Sequence, residues 1–319
     1  MKYQQPFFSI IIPTYNRPEQ LARCLESLTC LDYPRQDFEV IVVDDGSKTP
    51  LEAVVARHNQ LNLKLIKQNN AGPASARNTG VQHAQGNYLA FTDDDCTPAP
   101  DWLTNLAKRF AATPNCLIGG QTINALPNNL YSTTSQLLVD YLYIYHEHNA
   151  PDASFFTSNN LSLPVELFKS FGGFDTTFSL AAGEDRELCD RWLSRGYEMV
   201  YAPEAQIYHA HNLTFSSFWR QHFNYGRGAF YFYNCRASRT KERIKVNPLQ
   251  FLINLLSYPF LHKPTQPAIL VTALLLGTQI VDVTGLCWET WQQKVINHKE
   301  FFSIVTLRDM FGNFLVRND

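Results

Sequence analysis

The sequence predicts an α/β fold: a mostly parallel central sheet flanked by helices, ending in a helical C-terminal tail. Three observations carry this reading. Continuous apolar runs rich in β-branched residues recur at 8–12 and 40–43, the pattern of strands buried on both faces. Segments with apolar residues at helical spacing lie between such runs, so strands alternate with helices. The runs then hand over to Tyr15, Asp44, Asp45, Asp93, Asp94 and Asp95. That is the carboxyl edge of a parallel sheet, where open α/β folds bind ligands.

Taken in order, Phe-Ser-Ile-Ile-Ile at 8–12 is the first strand. Pro18 opens a helix carrying Leu21, Leu25 and Leu28 on one face. "FEVIVVDDGS" is a second strand ending in acids and a Gly-Ser turn. A helical stretch at 51–60 and the short strand "LKLI" follow. "NNAGPASARNTGVQHAQG" is a turn feeding a helix with Pro73 in its first turn. "NYLAF" is a further strand, and it delivers the three aspartates. Beyond about 115 the alternation fades. "SNNLSLPVELFKSFGGFD" mixes turn residues, a short helix and a Gly-Gly break, and "GEDRELCDRWLSRGY" is a helix opened by acids. "EMVYAP" and "AQIYHAH" are strand-like. No linker is evident before about 236, so residues 1–235 read as one domain and 236–319 as a basic and apolar helical tail.

The 319 residues are ample to bury a core, with 45% hydrophobic and 18% charged residues. A formal net charge of −2 gives no bulk attraction for nucleic acid. The seven cysteines are scattered and never spaced as CxxC, which argues against a disulfide framework or structural zinc and favours a reducing compartment. The N-terminal residues lack the long apolar core of a signal peptide, so a cytoplasmic location is expected.

The chemistry starts at "FTDDDC". Three adjacent carboxylates repel one another. Either they form a solvated turn before the helix that Pro98 and Asp101 start, or they converge on a hard divalent cation such as Mg²⁺ or Mn²⁺. "IVVDDGS" is either a capped turn or a hydrogen-bonding site for a base or ribose. "TYNR" offers an aromatic face beside Arg17. Glu184 and Asp185 either favour the positive end of a helix or do chemistry. His209 and His211, two apart in a strand-like run, face one side.

"SIIIPTYNR", "VIVVDDGS", "NAGPASARNTG" and "GNYLAFTDDD", in that order, resemble the nucleotide-binding half of family-two glycosyltransferases of the GT-A fold, with its Rossmann-like sheet. "TSNNLSLPVELFKSFGGFD", "GEDRELCDRW" and "HNLTFSSFWRQHFNYGRGAF" resemble the acceptor half. The likeness covers roughly 7–232, with halves at about 7–115 and 116–235. It implies a nucleotide-diphosphate sugar as donor, a divalent metal, and inverting transfer to a saccharide or lipid-linked acceptor. Carried over by motif, Pro13, Tyr15, Arg17 and Asp45 border the base, and Arg77 lies near the nucleotide. Asp93 and Asp95 match the DxD positions for metal and ribose, and Asp94 lies between them. From the residues themselves, one of the two histidines, His209 by preference, either completes a metal site or touches the leaving diphosphate, or else is structural. Asp185, in "GED", is the catalytic base. Asn159 and Asn160 either line an acceptor pocket or hold a turn, and Arg220 and Arg227 either cradle diphosphate or acceptor or belong to a segment that, with Trp219, Phe223 and Phe230, is core.

Two rival functions are weighed against this one. A sugar nucleotidyltransferase would carry a glycine-rich loop with a basic residue near the first strand, and "PTYNRPEQ" has none. A non-catalytic sugar- or nucleotide-binding protein would have lost acids that are present here. In the tail, five cations (Arg236, Arg239, Lys241, Arg243, Lys245) precede an uncharged stretch of 18 residues from Pro264 to Val281. That is at the short limit for a span, which needs about 20 residues. Peripheral attachment to the inner membrane face is one expectation, and a helical hairpin packed on the domain is the other.

Overall fold

The computed structural model describes residues 5–149, 155–178, 182–240 and 249–296. Its sheet has eight strands in the order β3-β2-β1-β4-β7-β6-β8-β5. The first four are β1 (Phe8–Thr14), β2 (Phe38–Asp44), β3 (Leu63–Lys67) and β4 (Tyr88–Phe91). They pair in parallel, with β1 between β2 and β4.

Every residue of β1 and β2 is buried, as their unbroken apolar runs require. The pleat divides them between two cores. Phe8, Ile10, Ile12, Val40 and Val42 join one, and Ile11, Ile41 and Val43 join the other. Helices α1 (Pro18–Leu28) and α4 (Trp102–Ala112) cover the first core; α3 (Pro73–Gln82), α6 (Val165–Ser170) and α7 (Glu184–Ser194) cover the second. The helix expected over 51–60 is shorter, α2 (Glu52–Ala56).

The second half of the sheet is mixed. β7 (Leu161–Pro164) runs antiparallel to both β4 and β6 (Leu117–Asn124). β6 pairs in parallel with β8 (Met199–His209), and β5 (Cys96–Pro98) pairs antiparallel to β8. "EMVYAP" and "AQIYHAH" are therefore one strand. Its register skips from Ala202 to Gln206 opposite Gly120 and Gln121. Gly120 sits at the irregularity because a Cβ there would lie 2.2 Å from the Ala205 carbonyl oxygen.

The remaining helices form a third layer. α5 (Leu130–Asn149), α9 (Leu249–His262) and α10 (Ala268–Ile296) share a core of Leu138, Tyr141, Phe251, Leu255, Val271 and Leu275. α8 (Phe215–Thr240) runs through the 235/236 boundary that composition suggested and lies against α10. The uncharged stretch of the tail thus falls largely in helix α10, packed on α8, α9 and α5. Arg236 and Arg239 are not a free cationic patch: they bond Asp190 and Glu187 of α7. Lys241, Arg243 and Lys245 lie outside the described residues.

Glycines set the α8–α10 spacing. A Cβ on Gly226 would fall 1.9 Å from the Asp282 carbonyl oxygen, and one on Gly285 would fall 2.2 Å from that of Phe223. Backbone atoms cannot step aside as a flexible side chain can. Gly226→Ala is therefore expected to destabilise the fold by about 1–3 kcal/mol, the usual cost of overpacking, read as a lower urea midpoint. An unchanged midpoint would mean that α8 and α10 do not pack this closely.

Candidate active site

The three aspartates leave β4 at the carboxyl edge of the sheet, and each meets a cation of the protein itself. Asp93 Oδ1 accepts from Arg77 at 2.8 Å. Asp94 accepts from Thr14 Oγ1 at 2.7 Å and Arg17 Nη1 at 3.1 Å. Asp95 accepts from the same Arg17 nitrogen at 3.1 Å and lies 3.2 Å from His209 Nε2. Arg77, Arg17 and His209 thus offset the repulsion within the triplet, and Asp94 and Asp95 are not a solvated turn.

The environments push the acids apart. Burial, reinforced by Asp95 and Asp93, raises Asp94 to about 6 against the pull of Arg17 and Thr14. Burial also opposes ionisation of Asp95, but the His209 hydrogen bond and charge, with Arg17, outweigh it and hold the group below the ordinary carboxylate range. His209 is correspondingly raised: burial lowers it, and Asp95 more than compensates. Its ring stacks on His211 with centroids 4.9 Å apart. Burial and the neighbouring His209 press His211 down to about 4.

The carboxyl ends of β1 and β2 and the loops after them close one side of the cleft. Pro13, Tyr15, Arg17 and Asp45 line the cleft there, with Tyr15 44% exposed. Both oxygens of Asp45 are engaged within the chain. Oδ1 accepts from Gln68 Nε2 at 2.7 Å and Ala71 N at 2.9 Å, and Oδ2 accepts from Gly72 N at 2.9 Å. Asp45 therefore braces the turn in which Gly72, at φ 87°, starts α3, and that turn brings Arg77 under the triplet.

Arg77 is the hinge of the site. It is 3% exposed and bridges Asp93 to Glu184 at 3.1 Å, tying the triplet to the first turn of α7. Gly183, left-handed at φ 91°, turns the chain into that helix. Asp185 accepts from Arg186 N at 2.7 Å and Ser158 N at 3.3 Å. Burial raises both Glu184 and Asp185 above their ordinary values, with Arg77 pulling the other way.

Pro13, Tyr15, Arg17, Asp45, Arg77, Asp93, Asp94, Asp95, Asp185 and His209 all line a single cleft of about 980 Å³. The other residues weighed from sequence divide. Asn159 and Arg220 face the cleft. Asn160 is spent on Trp102, Gln121 and Ala205, and Arg227 turns away to Glu289 of α10 at 2.7 Å. Thr14, Ser158 and Glu184's ion pair were not anticipated. Gln279, Asp282, Val283 and Leu286 of α10 also reach the cleft; the polar Gln279 within an apolar run was the one sequence signal for them.

Among the described residues, donor atoms of Asp95, Cys96 and His209 lie within 4.8 Å of one another. Cys96 is fully buried, and that burial, with the neighbouring carboxylates, raises its thiol well above the ordinary value. The carboxylate of Asp95 and the imidazole of His209 form a donor pair that suits a divalent cation shared with phosphate oxygens.

Comparison with known proteins agrees with this geometry. Residues 9–170 match the model of glycosyl transferase family 2. The glycosyltransferase AglE of Haloferax volcanii is 28% identical over 70% of this chain and 73% of its own length. The pre-mycofactocin glycosyltransferase of Mycobacterium tuberculosis is 30% identical over 64% of this chain, which spans only 42% of that protein. Among solved structures, the mannosyltransferase PcManGT from Pyrobaculum calidifontis, in complex with GDP-Man and Mn²⁺, superposes with a TM-score of 0.60. That likeness covers 92% of this chain and 86% of that one at 22% identity, and it identifies the fold as GT-A. The matched segment spans half of the sequence, and the chain is a member of glycosyl transferase family 2, an enzyme that transfers sugars.

Proposed function

We propose that this enzyme is an inverting, metal-dependent glycosyltransferase that moves a sugar from a nucleotide-diphosphate donor to a hydroxyl acceptor in polysaccharide or glycolipid synthesis. The observation that carries the reading is the convergence of Asp93 to Asp95, His209 and Asp185, drawn from three separate stretches of chain, on one cleft. Tyr15 offers its exposed ring for stacking a base, and Arg17 stands ready to leave the aspartates for phosphate. Asp95 and His209, with Asp93, would hold the cation, which when bound offsets charge growing on the departing diphosphate. Asp185 takes the proton of the attacking hydroxyl. Its carboxylate is fixed by Ser158 N and Arg186 N, and its raised affinity for protons suits a general base. Attack from the face opposite the leaving group inverts the anomeric centre.

Nucleotide release from a panel of UDP-glucose, UDP-GlcNAc and GDP-mannose tests this. At least one donor is expected to turn over with Mn²⁺ and to stop with EDTA. Metal-independent release would remove the cation from the reading. Pyrophosphate release from a nucleoside triphosphate and a sugar phosphate would favour a nucleotidyltransferase.

The same reading includes attachment to a membrane surface from the cytoplasmic side. α10 is long and apolar enough to cross a membrane. Ile269, Leu276, Ile280, Val283 and Trp291 are exposed along it, a stripe of about 33 Å at 1.5 Å per residue. Its two acids face α8, where Asp282 meets His222 and Glu289 meets Arg227. Complete recovery in the soluble fraction at low salt would contradict attachment.

A further inference from the structure

Three basic side chains of the protein stand against the aspartate triplet, and they differ in how readily they can leave. The Arg77 side chain is 4% exposed and is held from its other side by Glu184. His209 sits on β8 with its ring stacked on His211. Arg17 differs from both. Its side chain is 47% exposed, against 4% for Asp94 and 9% for Asp95, so it is the solvent-facing member of the group. Among the described residues a single nitrogen, Nη1, makes the side-chain contacts to both acids, at 3.1 Å each. The backbone beneath it is fixed. Asn16, left-handed at φ 57°, donates from N to Ser47 Oγ at 2.8 Å and accepts from Lys48 N at 2.8 Å. The Arg17 carbonyl accepts from Leu21 N at 3.0 Å as α1 begins. The Arg17 side chain can therefore swing while its loop stays tied to the loop after β2.

Asp95 is where that freedom matters. Its Oδ2 accepts from Arg17, and its Oδ1 lies 3.2 Å from His209 Nε2, so both oxygens are engaged within the chain. A divalent cation shared by Asp95 and His209 would stand beside a guanidinium on the other oxygen of the same carboxylate. Like charges that close repel, and more strongly where water is shut out, as it is around these two acids. Each occupant therefore weakens the hold of the other. A diphosphate removes the conflict. Its oxygens can accept two parallel N–H bonds from a guanidinium, where the acids here share one nitrogen.

We propose that Arg17 is a removable internal counter-cation. It holds Asp94 and Asp95 while the cleft has no donor and passes to the diphosphate when donor enters, so a divalent cation binds tightly only together with nucleotide. This rests on the metal-dependent reading of the cleft and adds the order in which its charges are exchanged. The acids stay neutralised between turnovers, and cation affinity depends on whether a diphosphate is in place. By linkage, the cation strengthens nucleotide binding by the same factor.

The experiment titrates the full chain with Mn²⁺ and counts free ion by electron paramagnetic resonance, first alone and then with saturating GDP or UDP. The Mn²⁺–nucleotide complex is measured separately and subtracted. Without nucleotide, Arg17→Gln is expected to bind Mn²⁺ about tenfold tighter than the wild type, or more, within the usual range of coupling between sites. With nucleotide the gap should close to within about threefold, because Arg17 has already left the acids. Arg220→Gln removes a charge from the same cleft without touching the triplet, and it should leave Mn²⁺ affinity within about twofold, as solvent screening allows. Equal affinity of wild type and Arg17→Gln without nucleotide overturns the proposal. So does a gain of equal size with and without nucleotide, which is what a distant charge alone would give. If neither protein binds Mn²⁺ under either condition, the metal-dependent reading falls first, an outcome distinct from a failure of Arg17's role.

Discussion

Asp185→Asn is expected to lower kcat for sugar transfer by about 10²–10⁴-fold, the range that general-base catalysis supplies, with little change in the KM for donor. The substitution keeps the shape of the side chain and its place at the start of α7. Ser158 N and Arg186 N meet different carboxylate oxygens, so the amide keeps an oxygen for one of them, the shorter bond to Arg186 N at 2.7 Å, and cannot take a proton. The pH profile separates loss of a base from loss of structure. Burial holds the Asp185 proton more tightly than usual, so the base is fully ionised only above the ordinary carboxylate range. Wild-type kcat/KM should therefore fall as pH drops through that raised value, on an acidic limb above about 4. The residual activity of Asp185→Asn should lack that limb. A variant that keeps both turnover and limb would remove Asp185 from the chemistry.

The second large effect is on stability. Arg77→Met removes a buried cation that serves two acids at once, Asp93 at 2.8 Å and Glu184 at 3.1 Å. Breaking a buried pair from one side costs about 3–5 kcal/mol because the abandoned charge stays buried. Glu184, only 4% exposed, cannot turn to water. Urea unfolding of Arg77→Met should show a loss of that size, and adding Glu184→Gln should recover part of it, since the two residues are coupled. Additive losses would mean that the ion pair contributes nothing of its own.

How far the sequence specifies this molecule follows from the range of each signal. β1, β2 and β4 are legible because a strand buried on both faces must be apolar throughout, a local requirement. The acids that follow are legible for the same reason, since they stand out against those runs. The partners of the acids are not local. Arg17 reaches Asp94 across 77 positions, and Arg77 reaches Glu184 across 107. No periodicity marks such pairings, so the sequence does not show that the chain itself supplies Arg17, Arg77 and His209 to the aspartates. The antiparallel placement of β7 between β4 and β6 is likewise set by tertiary packing, not by the few residues of the strand. α10 shows the opposite limit. Its hydropathy reads as a membrane segment, yet Gln279, Asp282, Val283 and Leu286 also line the cleft, a role that depends on the glycine contacts with α8.

The central claim is that acids and a histidine from distant parts of the chain form one cation site beside the candidate base. Anomalous scattering at the manganese edge, from crystals grown with Mn²⁺ and GDP or UDP, tests it most directly. The account predicts one manganese peak within bonding distance of Asp95 and His209, with diphosphate oxygens on its open side. Bound nucleotide with manganese on other residues, or with none, would contradict it.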